Sequence, residues 1–472
     1  MTETQGERNG GPGPEPGHIG RPSGRPGPAP GPASAPAQEG EPLRLRAVAL
    51  SAYGPTLLGS TGAGAVAPII AVSARELGAS LGVAALLVGT LGIGQLLGDL
   101  PSGALAARIG ERRALLVAAV VEAVGMVVAA LAGSVAGLFT GVLVIGLAGS
   151  LFGLARQAYL TEAVPVAMRA RALSTLGGVH RIGYFIGPFV GSLVITRWGI
   201  ESAYVVGGIA SVAAFLLVLV APDITAGHDA HAAGRGGRGG RGGRVRGGGR
   251  APRSVASVLL EHRHVLLTLG TGAMCVAGAR AIREALVPLW AESVGFSPAQ
   301  TSLVFGVAGA VDMLLFYPSG WLMDRFGRVA AAVPSMLVLG LGMALLPLAT
   351  SLVAVTAAAT VLGIGNGLGA GLIMTLGADA SPADGRAQFL GGWRLCADLG
   401  RAAGPLALSA LTAVLTLGAS AVVLGAAALL GAGWLRIWVP RHDPTRPLRG
   451  RGAGAAGEAA EGAPGGATPE AS

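Results

Sequence analysis

Twelve ionisable side chains stand inside stretches that are otherwise apolar: Asp99, Glu122, Arg156, His180, Arg181, Arg280, Arg283, Glu284, Asp312, Arg394, Asp398 and Arg401. A charge at the centre of a bilayer costs roughly 2.5–3.5 kcal/mol on insertion scales, so such groups must face protein or a watery cavity. Carboxylates held there can exchange a proton for a cationic substrate. Arg280 and Glu284 are one helical turn apart, which is the spacing of a self-neutralising pair or of a charged recognition point for a solute. Glu122 lies in the middle of its run and reads more readily as a packed, protonated acid than as a proton carrier. His180 has the one side chain that titrates near neutrality unperturbed, but beside Arg181 a structural role is the simpler reading. The chain has no metal-ligand spacing and no Gly-x-x-x-x-Gly-Lys-Ser/Thr phosphate loop, so neither a metal centre, a cofactor nor ATP-driven or other enzymatic chemistry is expected.

The elements that must position these groups are membrane spans. The chain has 472 residues, 51% hydrophobic and only 12% charged, with 34 basic against 25 acidic residues. That much apolar surface belongs in a bilayer. Twelve runs of roughly 20 apolar residues are each long enough to cross it, at approximately 48–72, 81–105, 114–132, 135–155, 173–196, 203–221, 265–290, 301–322, 329–349, 353–376, 388–412 and 417–438. The expected class is therefore all-α integral membrane. Cys275 and Cys396 both fall inside these runs and read as small buried thiols.

Residues 1–43 and 441–472 are too poor in apolar side chains to fold and are expected to be disordered tails. Residues 223–255 carry Arg-Gly-Gly repeats at Arg235, Arg238 and Arg241 without aromatic residues. A flexible basic linker apposed to anionic lipid explains them better than nucleic-acid binding, and no nucleic acid is expected as a partner. All basic residues are Arg, and in the short loops they gather on one side, with only Arg75 and Arg197 on the other. By the positive-inside rule both termini and the linker are cytoplasmic. The six Trp residues fall near span ends, as interfacial anchors would.

A charged turn, Pro318-Ser-Gly320-Trp-Leu322-Met-Asp324-Arg325-Phe-Gly327-Arg328, has a counterpart 217 residues earlier in Pro101-Ser-Gly103-Ala-Leu105-Ala-Ala107-Arg108-Ile-Gly110-Glu-Arg112. The same spacing relates Gly78 to Gly295, Gly146 to Gly363, Glu162 to Asp379, Arg169 to Arg386 and Gly187-Pro188 to Gly404-Pro405. A six-helix unit is therefore written twice, as residues 44–222 and 256–440, in the same orientation. Gly103 and Gly320 are expected to let helix backbones approach closely, and Gly110 and Gly327 to allow a tight turn.

These features resemble the major facilitator superfamily, in which two six-helix bundles flank a binding site. Its loop signature is matched by Gly320, Leu322, Asp324, Arg325, Gly327 and Arg328, whereas the first copy has Ala107 in place of the acid, with Asp99 two turns earlier as a substitute. The run Gly183-Tyr-Phe-Ile-Gly187-Pro188-Phe-Val-Gly191-Ser192 resembles the signature of the drug/proton antiporter branch, although generic helix packing gives the same stripe. The fourth span has Val142 near the place of an Arg that many proton-coupled members carry.

The resemblance implies alternating access in the plasma (inner) membrane, acting as a monomer on a small-molecule substrate. It implies proton-coupled efflux of amphipathic compounds, with Asp312, Asp398, Glu284 and Glu122 as acid candidates. The alternatives are a facilitator or symporter for sugars or other small metabolites, and a non-transporting sensor or scaffold. It also packs the second helix on the eleventh and the fifth on the eighth, which brings Asp99 to Arg394 and Arg181 to Asp312 as gating pairs.

Overall fold

The computed structural model describes residues 49–164, 168–222, 255–382 and 384–442. The expected tails and linker lie outside these residues apart from Val255, Arg441 and His442. Among the described residues all regular structure is helical. The first half comprises α1 (Gly54–Val66), α2 (Ile69–Glu76), α3 (Leu81–Ile109), α4 (Glu111–Ala130), α5 (Val135–Ala163), α6 (Arg169–Trp198) and α7 (Ser202–Val220). The second comprises α8 (Val255–Glu261), α9 (Thr271–Ser293), α10 (Pro298–Leu314), α11 (Phe316–Phe326), α12 (Val329–Leu345), α13 (Leu352–Leu368), α14 (Leu372–Ala380), α15 (Arg386–Thr412) and α16 (Leu417–Trp438).

The repeat seen in the sequence governs where helices begin. The starts of α3, α5 and α6 recur 217 residues on as the starts of α10, α13 and α15. The caps recur with them: Ser80 and Ser134 accept from the amides of Val83 and Gly137, as Ser297 and Ser351 do from Gln300 and Ala354. Each hydroxyl satisfies a backbone donor that has no partner within its helix. Gly110 and Gly327 hold the turns after α3 and α11 at φ 84° and 90°, a conformation that a side chain would oppose.

Packing repeats as well. In the first half α1 packs on α6, α3 on α5, and α4 on both α5 and α7. In the second α9 packs on α15, α10 on α13, and α12 on α13 and α16. The two halves meet where α3 runs along α15 and where α6 runs along α10.

The halves differ where the sequence differs. Pro68 lacks an amide proton and separates α1 from α2 with a bend of 40°, whereas its counterpart Ala285 lies within the unbroken α9. Gly371, at φ 78°, parts α13 from α14, while the equivalent stretch of α5 stays continuous. Pro318 follows the break between α10 and α11; Pro101, its equivalent, leaves α3 continuous.

Ten helical segments among the described residues are long and apolar enough to span a membrane, and the bent α1–α2 pair passes as an eleventh. The remaining long helix, α15, has 27 residues but carries Arg394, Asp398 and Arg401 along its length, which leaves it too polar for that test. It is also the helix that supplies three of the six charged side chains of the site, more than any other helix.

Two expectations need correction. A Cβ on Gly103 or Gly320 would meet open space, so neither residue permits a close helix approach. Close approach is served instead by Gly146, where a Cβ would lie 2.5 Å from the Leu91 carbonyl oxygen, and by its equivalent Gly363 against the carbonyl of Ala308. Trp393 is not an interfacial anchor. It is only 4% exposed, and its indole donates to the Ile373 carbonyl at 2.8 Å, tying α15 to α14.

Candidate functional site

A cavity of about 330 Å³ opens between the two halves. The first half lines it with Ser60 of α1, Gln95 and Asp99 of α3, Glu122 of α4, Ser150, Phe152 and Arg156 of α5, and His180 of α6. The second half contributes Arg394, Asp398 and Arg401, spaced four and three residues apart and so on one face of α15. Phe152 is the single aromatic ring in the wall apart from the imidazole of His180. The size is at the small end of the range for ligand pockets.

Across the interface Arg394 Nη2 lies 3.3 Å from Asp99 Oδ1, and its Nε lies 3.5 Å from Asp398 Oδ2. One guanidinium thus joins two carboxylates of opposite bundles. Asp99 also accepts from Ser150 of its own bundle at 2.5 Å, which orients its carboxylate. On the other side of the molecule Arg181 Nη1 lies 3.8 Å from Asp312 Oδ1 and stacks 4.5 Å above the Phe316 ring. Asn366 Nδ2 donates to the other Asp312 oxygen at 2.6 Å. The structure therefore brings together both interbundle pairs named from the sequence. Ser150 and Asn366, which orient the acids, were not singled out there: nothing in a lone Ser or Asn within an apolar run marks it until its partner is known.

Arg280 and Glu284 are a different case. No ion pair joins them among the described residues. Arg280 instead donates to the carbonyls of Gly369 and Asn366, at the C-terminal end of α13 where the span breaks. The Gly369 carbonyl also accepts from the Leu372 amide at 3.1 Å, so the guanidinium adds to the bonding where the helix breaks. A hydrogen bond from a charged donor contributes about 1.5–3 kcal/mol, against a few tenths of a kcal/mol for an i, i+4 pair on a helix surface.

Glu122 is packed, as its place in mid-span suggested, and it also borders the cavity. It is 7% exposed yet reaches the cavity wall, within electrostatic range of Arg156 and beside Ser211. His180 Nδ1 is 2.5 Å from the Ser60 hydroxyl.

The loop signature serves the second half internally. Arg328 bonds Asp379 at 2.8 Å and Asp324 at 3.1 Å, tying α11, α12 and α14 together. Partial burial opposes its charge, but the two carboxylates outweigh this and hold its pKa above the ordinary arginine value. Arg325 lies 5.7 Å from the Trp321 ring. In the first half Arg108 and Ala107 are exposed. There Arg112 caps α7 instead, donating to the carbonyls of Val218, Leu219 and Ala221.

The fifth-span stripe has a packing explanation. A Cβ at Gly183 would lie 2.6 Å from the Leu57 carbonyl oxygen, Gly187 faces that of Thr61, and Gly191 approaches Ala65. In the second half Gly400 and Gly404 face the carbonyls of Met274 and Gly278, the equivalents of Leu57 and Thr61. The same glycines do the same work in both halves, with Pro188 and Pro405 following each pair, so the stripe is architectural.

Comparison with known proteins agrees with this geometry. The family model described as Major Facilitator Superfamily matches residues 54–282 and 269–464. An arabinose-proton symporter of Bacillus subtilis (strain 168) is 31% identical over 147 residues, covering 29% of this chain and 32% of that protein. The match thus spans about a third of that relative's length. Among solved structures, a D-xylose-proton symporter aligns with a TM-score of 0.62 at 17% identity, over 84% of this chain and 98% of that one. A POT family transporter in complex with 5-aminolevulinic acid aligns with a TM-score of 0.64 at 13% identity, over 84% and 96%. With a duplicated six-helix unit, a cavity between its halves and a family match over most of its length, this chain belongs to the major facilitator superfamily.

Proposed function

We propose that this protein is a twelve-span, proton-coupled transporter of a small polar solute, working by alternating access, with α15 as a membrane span and the Arg-rich side cytoplasmic. The observation that carries the reading is the composition of the cavity wall: six ionisable groups with Ser, Gln and His, drawn from both bundles, and one phenylalanine. Sites for amphipathic drugs are lined mainly by apolar and aromatic side chains. The glycine stripe that pointed to the drug/proton antiporters has a packing role in both halves and no longer favours export. The relatives named as arabinose-proton and D-xylose-proton symporters are both named for a polar solute and a proton, which supports the same choice.

The contacts between halves indicate which side is closed. A Cβ on Gly82 would meet the Ser409 carbonyl, Gly89 packs on Pro405, and Ser192 donates to the Ala299 carbonyl at 2.9 Å. All three lie toward the ends of the spans away from the Arg-rich loops. The arrangement is read as inward-facing, with the Asp99–Arg394 and Arg181–Asp312 pairs holding the bundles together in mid-membrane. Glu122 and Asp398 are the acids that line the cavity and are assigned the coupling proton.

Purified protein in liposomes provides the test. Solute uptake driven by an imposed proton gradient is expected, with proton movement whenever solute moves. Glu122→Gln is expected to abolish uphill uptake while leaving solute exchange. Equal uphill uptake with the gradient and the potential both collapsed overturns the coupling; flux of apolar drugs but of no polar solute overturns the substrate reading.

A further inference from the structure

The acids of the cavity and Arg394 are held by close partners, whereas the other two bases are not. Asp99 has Ser150 and Arg394, and Asp398 has Arg394. Glu122 lies against Ser211. Arg156 and Arg401 have no carboxylate within 4.0 Å among the described residues. Arg156 makes no hydrogen bond there, its guanidinium lying 5.9 Å from the Phe152 ring, and Arg401 has only Gln95 Oε1 at 3.4 Å. Arg156 belongs to α5 of the first bundle and Arg401 to α15 of the second, yet both line the same cavity and both lie within electrostatic reach of His180. Deeper in the second bundle Arg283 is 4% exposed, with its Nε unbonded and its guanidinium 5.5 Å from the Phe305 ring.

A guanidinium carries five N–H donors and no acceptor, and its fork matches a carboxylate. Two such groups, one on each bundle and neither neutralised at contact distance, have unused donors facing a common space. We infer that the transported solute carries a carboxylate, which bridges Arg156 and Arg401 across the bundle interface. Such a bridge draws the two halves together around the solute. Glu122 and Asp398 act on these cations only from beyond contact distance, and a neutral sugar supplies hydroxyls but no charge for the two guanidinium forks. The inference deepens the transporter reading above and rests on it.

The test uses pairs of solutes that differ in the carboxylate: arabinonate against arabinose, and glycerate against glycerol. With the full chain purified in detergent, each is titrated while the thermal unfolding midpoint is followed. The carboxylate of each pair is expected to raise the midpoint at concentrations at least tenfold below its neutral counterpart. Arg401→Gln and Arg156→Gln should each weaken that response at least tenfold, Arg401→Lys less so, and Arg113→Gln, exposed in the first turn of α4, should leave it unchanged. Should Arg156→Gln or Arg401→Gln fold poorly, the Lys variants carry the comparison, because they keep the charge and lose the fork. The proposal is overturned if no carboxylate outperforms its neutral counterpart, or if its effect survives both Gln substitutions. Failure of the transporter reading is seen separately: thiols introduced at Ser409 and at Gly153, in a background without Cys275 and Cys396, would never exchange accessibility between the two sides.

Discussion

Arg75 and Glu292 occupy equivalent places in the two halves, 217 residues apart, and their side chains meet with Nε 3.4 Å from Oε2. A residue and its own counterpart come into contact only close to the axis that relates the two copies, so this pair marks that axis at the ends of α2 and α9. Arg75 is also held by the Ala79 carbonyl at 2.5 Å. Because the pair closes the side away from the Arg-rich loops, it must part for the cavity to open there. Both side chains are partly exposed, at 31% and 25%, so the pair contributes at most about 1 kcal/mol. Glu292→Gln is expected to shift the resting population outward by no more than about fivefold on that ground. Labelling of a thiol at Ser409 from outside should rise accordingly, and the swap Arg75→Glu with Glu292→Arg should restore it.

The mid-membrane pairs should matter more. Asp312→Asn leaves Arg181 in a half-buried site with only the Phe316 ring, and a loss of turnover of about tenfold, ~1.4 kcal/mol, is expected. Arg181→Asp with Asp312→Arg should recover part of it. Solute exchange in liposomes measures both, and full activity of the single variant would remove the pair from the cycle.

Arg280 and Glu284 supply a test of additivity. Since they do not touch, the effects of Arg280→Gln and Glu284→Gln on the unfolding midpoint should sum to within about 0.5 kcal/mol in the double variant. The Arg280 change alone removes the guanidinium's hydrogen bonds to the carbonyls of Asn366 and Gly369 and should cost about 1–3 kcal/mol. A large coupling energy would restore the ion pair expected from their spacing.

The glycines divide into those that touch a neighbouring backbone and those that do not. Gly183→Ala drives a methyl into the Leu57 carbonyl and is expected to cost about 1–3 kcal/mol. Gly103→Ala meets open space and should stay within about 0.5 kcal/mol of the parent. Thermal unfolding of the two variants side by side would refute this packing scheme if their order were reversed.

What the sequence determined by itself is whatever repeats locally. Helix starts, the Ser80 and Ser297 caps and the Gly110 and Gly327 turns are fixed by residues within a few positions of each other; the two glycine turns and the approximate spans were read from the sequence, and the caps follow the same 217-residue register. The ionisable groups inside apolar runs were equally visible, because their cost in a bilayer depends on residue type and depth alone. The pairs Asp99 with Arg394 and Arg181 with Asp312 were named only because the resemblance supplied helix neighbours. Tertiary structure decided the rest. Whether Arg280 pairs with Glu284 or caps a broken helix depends on Gly369, 89 residues away. Whether Gly103 packs or faces open space, and whether Glu122 is peripheral or reaches the cavity, depends on which helix lies opposite. A charged group takes the partner with the strongest unmet need in three dimensions, and that partner's distance along the chain carries no trace of it.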